Sequence, residues 1–123
     1  MTINEAINRF KQTRSSTKLS ADQMIEALSR LDRLVKINII DTHEGESADF
    51  NGYTLDTDGE TELLVLAPYD DIYIDWLDVQ NELLAKDYKR YNNAVEVYDT
   101  KYQEYASYYN RTRMPLPSKI KYL

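Results

Sequence analysis

Four carboxylates, Asp71, Asp75, Asp78 and Glu82, recur at spacings of four, three and four. On a helix they would share one face. Carboxylates in this pattern hold metal ions in two-metal helical bundles, but such sites add histidines at fixed spacing and matching glutamates on partner helices. Neither is present, because His43 is the only histidine. The stripe reads as a solvated face, as a surface that must not adhere to something negative, or as an interface for basic partners. His43 alone cannot build a histidine-rich metal site, and no nucleophile elbow supplies a serine for it to activate. The Asp-x-Asp-Gly of "DTDGETE", residues 56–62, begins like a calcium loop. It lacks the third early ligand and the glutamate at the twelfth position, so it reads as a turn. The chain has no glycine-rich phosphate loop, dinucleotide fingerprint or zinc spacing. The sequence predicts neither an enzyme nor a cofactor.

The other unusual chemistry is phenolic. Seven tyrosines lie between Tyr88 and Tyr109, in a chain with two phenylalanines and one tryptophan. Tyr88, Tyr91, Tyr98, Tyr102, Tyr105 and Tyr109 share a three-four repeat with Val95, and only Tyr108 falls off it. Such a seam packs a helix. Tyrosine buries a large ring while its hydroxyl seeks a hydrogen bond, which suits a partly wet boundary between protein surfaces. The six seam tyrosines are therefore candidates for subunit packing. An ordinary core helix whose tyrosines reach the rim, and a base-stacking platform flanked by Lys86, Lys89, Arg90, Lys101, Arg111 and Arg113, are the alternatives.

Elements that would carry these residues follow from capping and periodicity. Thr2 with Glu5 forms a capping box ahead of Ile3, Ala6, Ile7 and Phe10, predicting a helix over roughly 3–12. A polar loop ends at Ser20, which forms a second box with Gln23. Met24, Leu28, Leu31 and Val35 then predict an amphipathic helix over about 21–41. Residues 43–67 hold all three glycines, and the β-forming runs Phe50 to Leu55 and Thr61 to Leu66 predict a hairpin around "DTDG". Pro68 suits a helix start, with Asp70 and Asp71 in the first turn. Residues 69–114 contain neither glycine nor proline, which predicts one helix or two. A register slip near Lys86 places a break at 85–93, around Asn92-Asn93. The prolines of "MPLPSKIKYL" end the helix and leave an extended basic tail. The predicted fold is mainly α. It is a small helical bundle with a long or kinked C-terminal helix, a β-hairpin-containing loop between helices 2 and 3, and an extended tail. One domain covers residues 1–114 and the tail covers 115–123.

Composition sets the boundaries of function. The 123 residues suit one small module, and 42% hydrophobic content argues for a folded chain. There is no cysteine, no apolar signal-peptide run and no stretch long enough to span a bilayer, so the expected setting is soluble and cytoplasmic, away from membranes. The net charge of −6 hides a segregation. Residues 1–40 hold seven Lys/Arg against four Asp/Glu, residues 41–85 hold thirteen acids and no base, and residues 86–123 hold eight bases against four acids. Such blocks attract each other within one chain or between copies, and the central one repels nucleic acid.

The combination of "GYTLDTDGETELLVLAPYDDIYIDWL", residues 52–77, with "YKRYNNA" and "YASYYNRTRMP", residues 88–94 and 105–115, resembles the small head-tail connector (adaptor, head-completion) proteins of tailed bacteriophages and prophages of Gram-positive hosts. The resemblance covers roughly the last two thirds of the chain and, more weakly, "MTINEAI". It implies a helical subunit of a ring, commonly dodecameric, that docks beneath the portal protein and extends the DNA channel towards the tail. It also implies location in the virion after assembly in the host cytoplasm, with a tail or head-closure (stopper) protein as a further partner. In such a ring Asp71, Asp75, Asp78 and Glu82 would be candidates for the channel face, passing near DNA without holding it. Ile120, Tyr122 and Leu123 would be candidate anchors on a neighbour, with "KIKYL" suited to strand addition. The competing reading is an acidic, DNA-mimicking inhibitory or regulatory protein.

Overall fold

A computed structural model describes residues 1–14, 16–45 and 49–114. Its elements are α1 (Ile3–Gln12), α2 (Ala21–Asn38), a 3₁₀ turn (Ile40–Thr42), α3 (Ile72–Ala85) and α4 (Tyr88–Thr112). Both capping boxes form. The Glu5 amide donates to Thr2 Oγ1 at 3.1 Å and the Gln23 amide to Ser20 Oγ at 3.2 Å, while each acidic or amide side chain reaches back to the cap backbone. The apolar stripes are buried as their spacing predicts, with Ile3, Ala6, Ile7 and Phe10 on α1 and Met24, Ala27, Leu28, Leu31 and Val35 on α2. In the β-branched stretch after Lys36, α2 stops at Asn38 and tightens into the 3₁₀ turn, where Thr42 Oγ1 donates to the Ile39 carbonyl at 2.8 Å.

Helix directions follow from contacts at their ends. The α1 start lies beside the α3 start, with the Met1 ammonium 3.6 Å from Asp70, and Arg14, just past α1, reaches Asp78 and Glu82. Helices α1 and α3 thus run parallel. Helix α2 opposes α3: the Lys18 amide donates to Asn81 Oδ1 at 2.7 Å, Trp76 Nε1 donates to the Ala27 carbonyl at 2.8 Å, and the Tyr73 hydroxyl donates to Asp32. Helix α4 returns antiparallel along α3. The break between them is at Lys86, whose φ of 59° is left-handed, followed by Asp87 as N-cap of α4. This is six residues before Asn92-Asn93, both of which lie inside α4. The Asp87 amide donates back to the Glu82 carbonyl, closing α3 with a Schellman-like turn. None of the described helices is long and apolar enough to cross a membrane.

The predicted β-hairpin does not form: there is no β-strand among the described residues, and the fold is an all-α bundle of four helices. Phe50 to Leu55 and Thr61 to Leu66 do not pair with each other, because their backbone groups find partners on the helices. The Tyr53 amide donates to Ser29 Oγ at 2.9 Å, the Leu64 amide to Asp32 Oδ2 at 3.1 Å, and the Val65 amide to the Tyr73 hydroxyl at 2.7 Å. The carbonyls of Thr61 and Gly59 accept from Ile3 and Asn4, filling donors that the first turn of α1 leaves open. Tyr53, Leu63 and Val65 are buried as an inward face would be, against helices instead of a partner strand. Within "DTDG" the Asp58 carboxylate accepts from the Glu60 amide at 3.0 Å, so this stretch is a side-chain-closed turn. The Ala67-Pro68 bond is cis, and α3 begins at Ile72, four residues after the proline that was expected to start it.

Gly52 makes the loop's approach to α2 possible. Its φ is +96°, and a Cβ there would meet Ser29 Oγ and lie 2.7 Å from Arg33 Nε. Gly52→Ala combines a left-handed backbone with displacement of the serine that holds the Tyr53 amide. The expected cost is about 2 kcal/mol in urea unfolding. A cost under about 0.5 kcal/mol, the range of ordinary surface changes, would show that the loop shifts away freely.

Candidate functional site

The α3–α4 hairpin carries both sequence-predicted constellations, and it uses them differently from a free surface. Of the carboxylate stripe, only Asp71 is exposed. Asp75 Oδ2 lies 2.8 Å from Lys101 Nζ on α4, and Arg14 bridges Asp78 and Glu82, reaching Glu82 Oε1 at 2.7 Å. Donation to the Asp75 carboxylate holds the Lys101 ammonium above its ordinary pKa, against the lowering effect of burial. Three of the four acids therefore line an ionic seam between α3 and its neighbours. A groove of about 520 Å³ opens over the seam and is bordered by Arg14, Asp78, Glu82, Arg90, Asn93 and Val97. Among the described residues no group of three or more His, Asp or Glu side chains could hold a metal ion.

The tyrosine seam divides in two. Its C-terminal part packs inside the chain: Tyr98 against Trp76 with ring centroids 4.9 Å apart, Tyr102 beside Tyr98, Tyr105 against Tyr69, and Tyr109 edge-on to His43 at 5.0 Å. Tyr108, off the seam by spacing, packs on Tyr69 at 4.7 Å. Burial raises the pKa of the Tyr98 and Tyr105 phenols, and neighbouring phenols add to the effect. The N-terminal part is different. Tyr91 is half-buried and Tyr88 is 63% exposed. Replacing Tyr98 and Tyr102 with leucine is expected to keep the helix content while losing the ring pairing on Trp76, at about 0.5–1.5 kcal/mol per aromatic pair. Tryptophan fluorescence and urea unfolding measure this. If assembly were also unchanged in the variant, this part of the seam would serve intrachain packing alone. The tail anchors Ile120, Tyr122 and Leu123 lie outside the described residues.

His43 is buried beside the end of α4. Nδ1 lies 2.7 Å from the Ile39 carbonyl oxygen and Nε2 lies 2.5 Å from Asn110 Oδ1. Both ring nitrogens are thus engaged in joining α4 to the end of α2.

Sequence reasoning missed the most densely bonded cluster. Asp32 on α2 is 0% exposed and accepts from three donors: the Tyr53 hydroxyl, the Tyr73 hydroxyl at 2.6 Å and the Leu64 amide at 3.1 Å. Burial raises the Asp32 pKa, and these hydrogen bonds oppose that rise. The Tyr53 and Tyr73 phenols are raised in turn by burial and by the Asp32 charge. The signal was available, since Asp32 falls four residues after Leu28 on the apolar face of α2. With no solvent path to its carboxylate, the cluster clamps the 49–67 loop to α2 and α3. Arg14 and Asn81 were also missed, because each acts on a segment remote in sequence. The chain matches no protein-family model, no curated protein and no solved structure, so its site is defined by this geometry.

Proposed function

We propose that the chain is a structural subunit of a bacteriophage head-tail connector ring, docking on the portal protein and extending the DNA channel towards a tail or head-closure protein. The observation that carries this reading is that the folded chain leaves apolar side chains exposed at both ends of the bundle, with Leu55 exposed on the 49–67 loop as well. Leu34 and Ile37 lie at the C-terminal end of α2, and Leu83, Leu84 and Tyr88 lie at the α3–α4 turn. Because α2 and α3 are antiparallel, these sets sit at opposite ends of the bundle. A ring is built from two different patches on each subunit, whereas a two-fold dimer uses one patch twice. The channel-facing acids are reassigned in this reading. Asp75, Asp78 and Glu82 are paired within the chain, so Asp71 is the one member of the stripe left exposed to present charge to passing DNA.

Native mass spectrometry and light scattering with and without portal particles test the assignment. The expected result is a ring-sized species on the portal, and a chain that stays monomeric and ignores portal would overturn it. The exposed loop acids Asp56, Asp58 and Glu60 favour a second reading, a DNA-mimicking inhibitor. A pull-down that recovers a nuclease or polymerase, and neither portal nor tail proteins, would support that reading instead.

A further inference from the structure

We propose that copies of this chain dock head to tail, the acidic 54–62 loop of one seating on the basic tip of the α3–α4 hairpin of the next. This rests on the connector reading and names the faces that meet. The two ends are held apart by α3, whose 14 residues span about 21 Å. At its start, the loop is tied to the first turn of α1 through the Thr61 and Gly59 carbonyls, and the Met1 ammonium reaches Asp70. At its end, Lys86 and Asp87 turn the chain into α4.

Charge is opposite at these two ends. Asp56, Asp58 and Glu60 are exposed on the loop, with Glu62 paired to the Met1 ammonium at 3.1 Å, in a stretch with no basic residue from 41 to 85. Lys86, Lys89 and Arg90 are exposed on the tip, where Asp87 approaches Arg90 at 3.5 Å and leaves the lysines as the main positive charge. Tip-to-tip and loop-to-loop encounters are repulsive, and only loop-to-tip is attractive. Apolar surface is present on both sides of the same contact. Leu55 is 61% exposed at the head of the loop. On the tip side, a groove of about 310 Å³ between α2 and α3 is lined by Leu19, Ala27, Gln80, Leu83 and Leu84, with Glu26 and Arg30 at its rim. Leu55 of the neighbouring copy is the side chain that fits this groove, and the loop acids then lie over the lysines. A contact between two different faces propagates around a closed ring, or along a filament if the rotation does not close.

The absence of cysteine makes the contact directly testable. Leu55→Cys and Leu84→Cys are made separately and oxidised alone and mixed. The mixture is expected to give a disulfide-linked heterodimer on the order of tenfold in excess of either homodimer, the ratio that about 1.4 kcal/mol of preference produces. Lys86→Glu with Lys89→Glu, added to the Leu84→Cys chain, should abolish the cross-link. Asp58→Lys with Glu60→Lys, added to the Leu55→Cys partner, should restore it. Homodimers as abundant as the heterodimer, or a cross-link indifferent to charge reversal, would overturn the proposal. Portal binding is measured on the same proteins. Chains that assemble on the portal without this cross-link keep the connector role and lose this interface. Chains that cross-link yet ignore portal keep the interface and lose the connector role.

Discussion

Replacing Asp32 with alanine is expected to cost about 3–5 kcal/mol in urea unfolding at neutral pH, a large share of the stability of a domain this size. The change removes one buried acceptor and strands three donors: the Tyr53 and Tyr73 hydroxyls and the Leu64 amide. Each unsatisfied buried group costs about 1–3 kcal/mol, and relief of the buried charge offsets part of the total. The Tyr73 hydroxyl also accepts from the Val65 amide, so its displacement loosens a second loop contact. Asp32→Asn keeps one carbonyl acceptor and should cost less. Tyr53→Phe combined with Asp32→Ala should add little, because the two changes share one hydrogen bond. A loss below about 1 kcal/mol for Asp32→Ala, less than one stranded donor is worth, would mean that the cluster is not the clamp on the loop.

The same carboxyl gives a pH dependence of definite sign. Its folded pKa lies above the ordinary 3.8 because burial disfavours the charge. The folded state therefore binds the proton more tightly than the unfolded state. The Asp32 contribution is fully present below about pH 4 and declines as pH rises through the folded pKa. The stability gap between the wild-type chain and Asp32→Asn should accordingly be widest in acid and narrow as pH rises. A gap that instead widened with pH would show that the three hydrogen bonds outweigh desolvation.

Helices α1 and α2 were legible because everything that makes them is local: a capping box, a 3.6-residue apolar period and a polar loop between them. The α3–α4 break was legible as a register slip near Lys86, although nothing in the sequence marks a lysine for the left-handed position that glycine usually takes. The expected hairpin at Phe50 to Leu66 fails because β-forming residues around a turn dipeptide report an extended, partly buried chain and not what covers it. Two helices and the N-terminus supplied the hydrogen bonds a partner strand would have given. Of the carboxylate stripe, Asp75, Asp78 and Glu82 lie on α3 and Asp71 is its N-cap. The stripe's partners Arg14 and Lys101 come from a loop after α1 and the middle of α4, and no local pattern announces such pairs.

Arg14→Ala is expected to cost about 2–4 kcal/mol by removing the cation that serves two carboxylates at once. The Glu82 side chain is only 5% exposed and Asp78 35%, so the first is left buried and uncompensated while water partly rescues the second. That asymmetry places the cost at or below the ~3–5 kcal/mol of fully buried pairs. The Arg14 guanidinium also sits 5.6 Å from the Phe10 ring centroid, so part of the loss is packing against α1. Arg14→Lys should recover less than half, because one ammonium cannot present the planar fork that reaches both acids. Arg14→Met with Glu82→Leu should be nearly neutral, since an apolar pair of similar volume avoids burying either charge. If the single alanine variant and the apolar double variant unfolded at the same urea concentration, the seam would be acting as packing and not as an ion pair. The carboxylates of α3 would then be available for a partner after all.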